Sequence, residues 1–292
     1  MLKLNRILAP VEFSPRCRGG VQYAEALAAH FHSEIVLLHV ILPPMTQYGA
    51  VEAMAYSDPV ELTRELHLAR TQELEAFPCE APSGSAVRRV VMEGDPARVI
   101  VDYSNSERCD LIVMPTHGYG PFRRFLLGSV TAKVLHDAAC PVWTGPHMEQ
   151  APSYASMTFK RVACAIDLGP HSRDVLSFAG RFACELGASL TVLHAIPASA
   201  TKLGGFYFDP DWGIQLTKAS RERIAFLLEE LGLKAQTTIE SGETPLVVRT
   251  AAEEAGADLL VIGRGSTPRA HGRLPTNSYA IVRESPCAVV AL

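Results

Sequence analysis

The sequence has no Cys-x-x-Cys pair and no cysteine–histidine cluster at zinc-ligand spacing. Its seven cysteines (Cys17, Cys79, Cys109, Cys140, Cys164, Cys184, Cys287) are odd in number and scattered, a pattern that fits neither a disulfide framework nor a zinc module. They read as reduced thiols, several of them small buried hydrophobes on apolar faces. An excess of one charge is also lacking: 27 Lys+Arg stand against 31 Asp+Glu, a net charge of −4, so no nucleic-acid partner is expected. With 48% hydrophobic residues the chain is not a disordered one either. The first apolar run ends at Glu12, too short for a signal-peptide core or a membrane span. The expectation is a cytoplasmic protein with no membrane partner.

What is present is a repeat. Asn5-Arg6-Ile7-Leu8-Ala9-Pro10-Val11-Glu12-Phe13-Ser14-Pro15 aligns with Lys160-Arg161-Val162-Ala163-Cys164-Ala165-Ile166-Asp167-Leu168-Gly169-Pro170 at an offset of 155, and the same offset carries His39 onto His194. Asp110-Leu111-Ile112-Val113 aligns with Asp258-Leu259-Leu260-Val261 at 148, and Cys140 with Cys287 at 147. The 292 residues therefore divide into two similar units: a first domain over 1–146, a linker over 147–158 and a second domain over 159–292. Residues 1–150 hold 13 basic and 17 acidic residues, whereas 151–292 hold 14 of each. An anionic ligand must therefore be held by local groups, not by the overall field.

Each unit alternates short apolar β-branched runs with segments of helical apolar spacing. Strands are predicted over 6–12, 35–40, 86–92, 110–114 and 141–144, with helices over 16–31, 60–77, 95–106 and 128–139. The second unit repeats strands over 161–167, 189–195, 234–240, 258–262 and 287–291. This order predicts an α/β fold: two tandem, doubly wound, five-stranded parallel sheets, Rossmann-like, with ligands beyond the strand ends at the switch in strand order. An exposed last strand seeks a partner. Pro141-Val142-Trp143-Thr144 and Ala288-Val289-Val290-Ala291 can pair within one chain, giving an intramolecular pseudo-dimer; further homodimerisation stays open.

The loop after the fourth strand carries the chemistry. It matches neither a Walker motif nor Gly-x-Gly-x-x-Gly. In Met114-Pro115-Thr116-His117-Gly118-Tyr119-Gly120, glycines allow backbone N–H groups to converge on an anion. Gly128-Ser129-Val130-Thr131 then opens a helix whose first amides and dipole favour negative charge, with Ser129 and Thr131 hydroxyls as extra donors. Arg123 and Arg124 are either further contacts or solvated side chains.

This segment resembles the nucleotide-binding loop of the universal stress protein family, whose ATP-binding members carry Gly, two residues, Gly, nine residues, then Gly-Ser/Thr. Here Pro115 takes the first glycine's place, followed by Gly118 and Gly128-Ser129. Pro10-Val11-Glu12-Phe13-Ser14 resembles the family's Pro-Val-Asp-x-Ser, and Gly94-Asp95-Pro96 and Cys140-Pro141-Val142 extend the likeness over almost the whole chain. The resemblance implies that Pro10, Val11 and Glu12 line an adenine pocket with Val40 near the base, and that Met114, Gly118, Gly128, Ser129, Val130 and Thr131 hold ribose and phosphates. Pro115 removes one N–H donor. Glu12, one methylene longer than Asp, either reaches the same partner or crowds the base.

The second unit keeps Asp167, but its loop runs from Gly263-Arg264-Gly265 to Pro275-Thr276-Asn277. Pro275 stands where the helix-opening glycine is expected and lacks the N–H that would face a phosphate. Arg264, Arg269 and Arg273 offer compensating charge, yet the reading is a structural copy. His39 and His194 are expected to bond to neighbouring backbone. No metal cluster is seen, so Mg²⁺ would arrive with the nucleotide. No nucleophile–base–orienter set surrounds His117, so at most slow ATP hydrolysis or self-phosphorylation is expected. Two functions follow: a stress-response regulatory module binding ATP or another adenine nucleotide in domain 1 and signalling to a protein partner, or a structural interaction protein with both clefts degenerate.

Overall fold

The computed structural model describes residues 2–42, 59–80, 85–117, 127–146, 148, 159–198, 202–203, 207–208, 210–264 and 276–292. The first half runs β1 (Arg6–Pro10), α1 (Pro15–Phe31), β2 (Glu34–Ile41), α2 (Pro59–Ala76), β3 (Val87–Glu93), α3 (Pro96–Ser106), β4 (Leu111–Val113), α4 (Ser129–Asp137) and β5 (Val142–Thr144). The second runs β6 (Arg161–Ala165), α5 (Ser172–Leu186), β7 (Ser189–Pro197), β8 (Lys202–Leu203), β9 (Tyr207–Phe208), α6 (Pro210–Glu230), β10 (Gln236–Gly242), α7 (Thr244–Glu254), β11 (Leu259–Ile262), α8 (Thr276–Glu284) and β12 (Ala288–Ala291). The antiparallel β8–β9 ladder was not expected from hydrophobic period. Its only sequence signal is the Gly204-Gly205 pair between the strands.

The main strands form one ten-stranded sheet in the order β10-β7-β6-β11-β12-β5-β4-β1-β2-β3. Each half is parallel, with its first strand between the second and the fourth. Side chains alternate across this sheet. Ile7, Leu37, Val113, Cys164 and Val261 face one way, into a core closed by α1, α2, α5 and α6. Leu8, Val36, Ile112, Leu193 and Leu260 face the other way, toward α3, α4, α7 and α8. The near-continuous apolar strands of the sequence are thus explained by burial on both faces. Buried cysteines join this packing, and burial alone pushes the Cys164 thiol up to about 12.

One device fixes strand register in both halves, at the sheet end opposite the strand exits. The Asp110 carboxylate accepts the backbone N–H groups of Asn5 at 2.6 Å and Arg6 at 3.0 Å, tying the start of β4 to that of β1. Asp258 does the same for Lys160 and Arg161, at 2.8 Å each. The first strand is shorter than predicted. Val11 N–H still donates to the Leu38 carbonyl at 2.8 Å, but Phe13 then takes φ 65° and turns the chain out of the sheet.

The halves join edge to edge as expected: β5 and β12 pair antiparallel, Val142 opposite Ala291 and Trp143 opposite Val290. Trp143 is fully buried in an aromatic cluster drawn from both halves, 5.7 Å from Tyr23, 5.2 Å from Phe159 and 6.0 Å from Phe182 between ring centroids. Arg264 adds a polar strap. Its guanidinium, on the residue after Gly263, donates to the carbonyls of Ala138 and Cys140 in the first half. Trp143→Ala should cost about 3–5 kcal/mol, the range for deleting a large buried aromatic, measured as a lowered urea midpoint; a cost under about 1 kcal/mol would show that the cluster does not hold the seam.

Candidate functional site

A cleft of about 300 Å³ opens beyond the carboxyl ends of β1 and β4, where strand order reverses. Its walls come from the β1 exit (Pro10, Val11, Glu12), the β2 end (His39, Val40), the β4 exit (Met114, Pro115, His117) and the start of α4. The β1 exit is held in a left-handed turn at Phe13, a conformation costing a bulky residue about 1–3 kcal/mol. Packing sustains it: the Phe13 ring lies 4.6 Å from His39 and 6.0 Å from Phe77, with the Arg70 guanidinium 5.8 Å above it. His39 Nδ1–H donates to the Val11 carbonyl at 2.7 Å, which fixes the tautomer and leaves Nε2 as the ring's acceptor. Burial lowers the His39 pKa; the Val11 bond opposes the shift and the Arg70 charge adds to it. The exposed Glu12 carboxylate accepts the Ser14 hydroxyl, while the Ser14 oxygen caps α1 by accepting the Cys17 N–H at 3.2 Å.

At the far wall, α4 begins behind Gly128, whose φ of −62° is open to any residue and which supplies no side-chain cap. What favours glycine here is closeness. A Cβ would stand 3.2 Å from the Thr116 carbonyl oxygen and 3.3 Å from His117 Cα. The Gly128 N–H donates to that same Thr116 carbonyl at 2.8 Å, pinning the helix start to the β4 exit. The amides of Ser129, Val130 and Thr131 have no intrahelical acceptor and carry the positive end of the helix dipole. Such a terminus is chemically suited to an anion.

The second half holds an equivalent cleft of about 450 Å³. Leu168 repeats the left-handed turn with φ 59°, and His194 Nδ1–H donates to the Ile166 carbonyl at 2.9 Å. Asp167 accepts the Gly169 N–H at 2.8 Å and the Ser172 hydroxyl at 3.0 Å. Both strand-end histidines thus bond to backbone as expected, yet both also line their clefts.

The model of the universal stress protein family matches the chain twice, over residues 3–144 and 158–292. The chain belongs to the universal stress protein family. It is 28% identical over 189 residues to a universal stress protein of Mycolicibacterium smegmatis, a match spanning 64% of this chain and 63% of that relative, so less than two thirds of the relative's length. A universal stress protein structure from Archaeoglobus fulgidus shares the fold over 99% of this chain and 96% of its own, with a TM-score of 0.64 at 24% identity. Another from A. fulgidus, solved in complex with dAMP, aligns with 46% of this chain and 98% of its own at 16% identity and a TM-score of 0.34.

In this universal stress protein, nine of the ten expected contact residues line the first cleft: Pro10, Val11, Glu12, Val40, Met114, Gly128, Ser129, Val130 and Thr131. Gly118 lies outside the described residues, as do Arg123, Arg124, Arg269, Arg273 and Pro275. Three details differ from the sequence reading. The Thr131 hydroxyl donates to the Pro115 carbonyl at 2.9 Å, so it braces the loop and does not face the cleft as a donor. The Gly128 N–H likewise serves the loop, where it was expected to face a phosphate. Arg264, weighed against the structural reading as compensating charge, reaches across the seam because α4 ends there with unpaired carbonyls. Sequence reasoning missed Leu42, Pro96 and Ile100 on the cleft wall; Gly94-Asp95-Pro96, a helix-start signal, pointed toward two of them.

His39 supplies a titration test. Its folded-state pKa lies below the unfolded value of about 6.5, so its contribution to stability is complete above that value and declines as pH falls through the window down to the folded pKa. An NMR titration should place His39 below about 6.5, and His39→Gln should flatten part of the stability loss that sets in as pH falls below about 6.5. A resonance titrating above the ordinary histidine value of about 6.5 would contradict the half-buried, neutral ring.

Proposed function

We propose that this universal stress protein is a regulatory module that binds ATP or another adenine nucleotide in its first-half cleft. The observation that carries the reading is the convergence on one cleft of a short, apolar β1 exit and a glycine-opened helix start, parts distant in sequence. Pro10, Val11, Val40 and Met114 offer apolar walls against which a base can pack. The α4 amides and the Ser129 hydroxyl lie at the other end, where phosphates would be received. Family membership supplies the ligand class, since a member has been solved in complex with dAMP. In this reading Mg²⁺ has no protein cage and enters with the phosphates. Occupancy acts on a partner protein through the surface around the cleft mouth, and turnover is not part of the proposal.

Isothermal titration should show ATP, ADP or AMP binding at about one per chain. Gly128→Val should weaken it at least about tenfold, because the added side chain must displace the β4 exit or the helix start. Circular dichroism and thermal melting check that the variant remains folded. Failure of all three nucleotides to bind the unsubstituted chain would leave the structural-interaction reading in place.

A further inference from the structure

We infer that α2, together with the Phe77 that follows it, positions the β1 wall of the first cleft through Phe13, so that occupancy of the cleft and docking of α2 are linked. The ligand rests on the function proposed above; the positioning rests on geometry alone.

No described residue of α2 lines the first cleft. The wall nevertheless ends in a turn that α2 supports from behind. Pro10, Val11 and Glu12 line the cleft, and the next residue, Phe13, stands at φ 65°, a conformation that a bulky residue keeps only when its surroundings enforce it. Part of that enforcement comes from α2 and its exit. The Phe77 ring meets the Phe13 ring edge to face at 6.0 Å, and Arg70 sets its guanidinium 5.8 Å above the same ring. Phe13 also packs at 4.6 Å on His39, whose Nδ1–H holds the Val11 carbonyl at 2.7 Å. Displacement of Phe77 or Arg70 therefore reaches the cleft wall by two routes, along the chain from Phe13 and through the His39 ring.

The second half reaches the same turn by local means, which makes it an internal control. Leu168 occupies the Phe13 position at φ 59°. There Asp167 binds its own turn, accepting the Gly169 N–H at 2.8 Å and the Ser172 hydroxyl at 3.0 Å. In the first half Glu12 takes the Ser14 side chain, and Cys17 stands in place of Ser172. Leucine has no ring to offer a cation or an aromatic edge, so the stack on α2 is particular to the first half.

Phe77 is itself fixed from two directions. Arg89 on β3 donates from Nε to the Leu74 carbonyl at 3.0 Å and from Nη2 to the Phe77 carbonyl at 3.3 Å, capping the end of α2. On α1 the Glu25 carboxylate, 1% exposed, accepts the Arg18 guanidinium at 2.9 Å and the Glu80 N–H at 2.8 Å. Arg18 also reaches the Pro78 carbonyl at 2.9 Å. A buried ion pair adds little stability compared with apolar packing, and its best attested use is to select one arrangement. The second half shows the apolar alternative, with Gly180 at the Glu25 position covered by Leu233. In the first half the buried pair holds the chain leaving α2 where Phe77 can meet Phe13. Because linkage is reciprocal, a ligand that requires the wall in place also favours the docked α2.

Amide hydrogen exchange measures the positioning without any ligand. The Val11 N–H bonds to the Leu38 carbonyl at 2.8 Å, and its counterpart, the Ile166 N–H, to the Leu193 carbonyl at 3.0 Å. Phe77→Ala should speed exchange at Val11 about tenfold and leave Ile166 unchanged, while Phe77→Tyr, which keeps the ring, should restore the slow rate. Arg70→Ala, which removes an exposed cation, should act in the same direction with the fold intact. In the unsubstituted chain ATP should slow exchange along α2, and Phe77→Ala should weaken ATP binding about tenfold. Unchanged Val11 exchange in both alanine variants, or equal acceleration at Val11 and Ile166, would overturn the proposal. So would ATP binding that leaves α2 exchange unaltered, a result that depends on no variant. If no adenine nucleotide binds while Val11 alone is loosened, the nucleotide reading falls and the positioning of the wall by α2 stands.

Discussion

The pairing of β5 with β12 is the constraint on which the rest of the molecule depends. Each half ends its sheet in a short apolar strand with unpaired N–H and C=O groups along one side, an arrangement that invites association. Duplication places both edges in one chain, where they meet antiparallel and bury Trp143 completely. The core then continues across the seam: Trp143, Phe182, Val162 and Val290 belong to one cluster with Ile7 and Leu37. The outer edges of the ten-stranded sheet, β3 and β10, are the half-exposed ones, carrying Arg88, Arg89, Gln236 and Glu240, whose polarity discourages further edge pairing.

That joint frees the two strand-exit ends for different chemistry. Both halves preserve the Asp110 and Asp258 register clamps, the left-handed residue after the first strand and the histidine clipped to the strand exit. These set the frame of each cleft. Differences concentrate in the loop after the fourth strand: Thr116 stays within its own half, near Gly145 and His117, whereas Arg264 crosses the seam. The same position braces its own half in one copy and the seam in the other. The second half is therefore not a worn replica of the first, since its divergence follows from a structural task that the first does not have.

Much of this was legible in the sequence because burial on both sheet faces leaves continuous apolar runs, and duplication shows each run twice. Strands and helices fell within a few residues of their predicted limits, and the family resemblance, carried onto strand ends and helix starts, named nine of the residues that line the first cleft. What escaped was direction. Nothing in Gly128-Ser129-Val130-Thr131 reveals that the Thr131 hydroxyl turns back to Pro115, and nothing in Gly263-Arg264-Gly265 reveals a guanidinium reaching Ala138. Such choices depend on which unpaired carbonyl lies nearby after folding, and that is a property of tertiary placement. The small β8–β9 ladder escaped for another reason: strands of two residues are too short to carry a period.

The charge asymmetry of the sequence can now be weighed against the site. The first half carries the excess of acidic residues, and the described lining of its cleft contains Glu12 but no lysine or arginine. This does not exclude an anion there, because the two effects act over different ranges. Exposed charges spread over a domain are largely screened beyond about 8 Å at physiological salt. Amides at the start of α4 would act at contact distance, where a hydrogen bond to a charged group contributes about 1.5–3 kcal/mol, and the helix adds roughly half a positive charge at the same end. Among the described lining residues Glu12 is the one carboxylate, and its bond to Ser14 draws its charge toward the start of α1. In the first cleft, local geometry would therefore count for more than composition in receiving an anion.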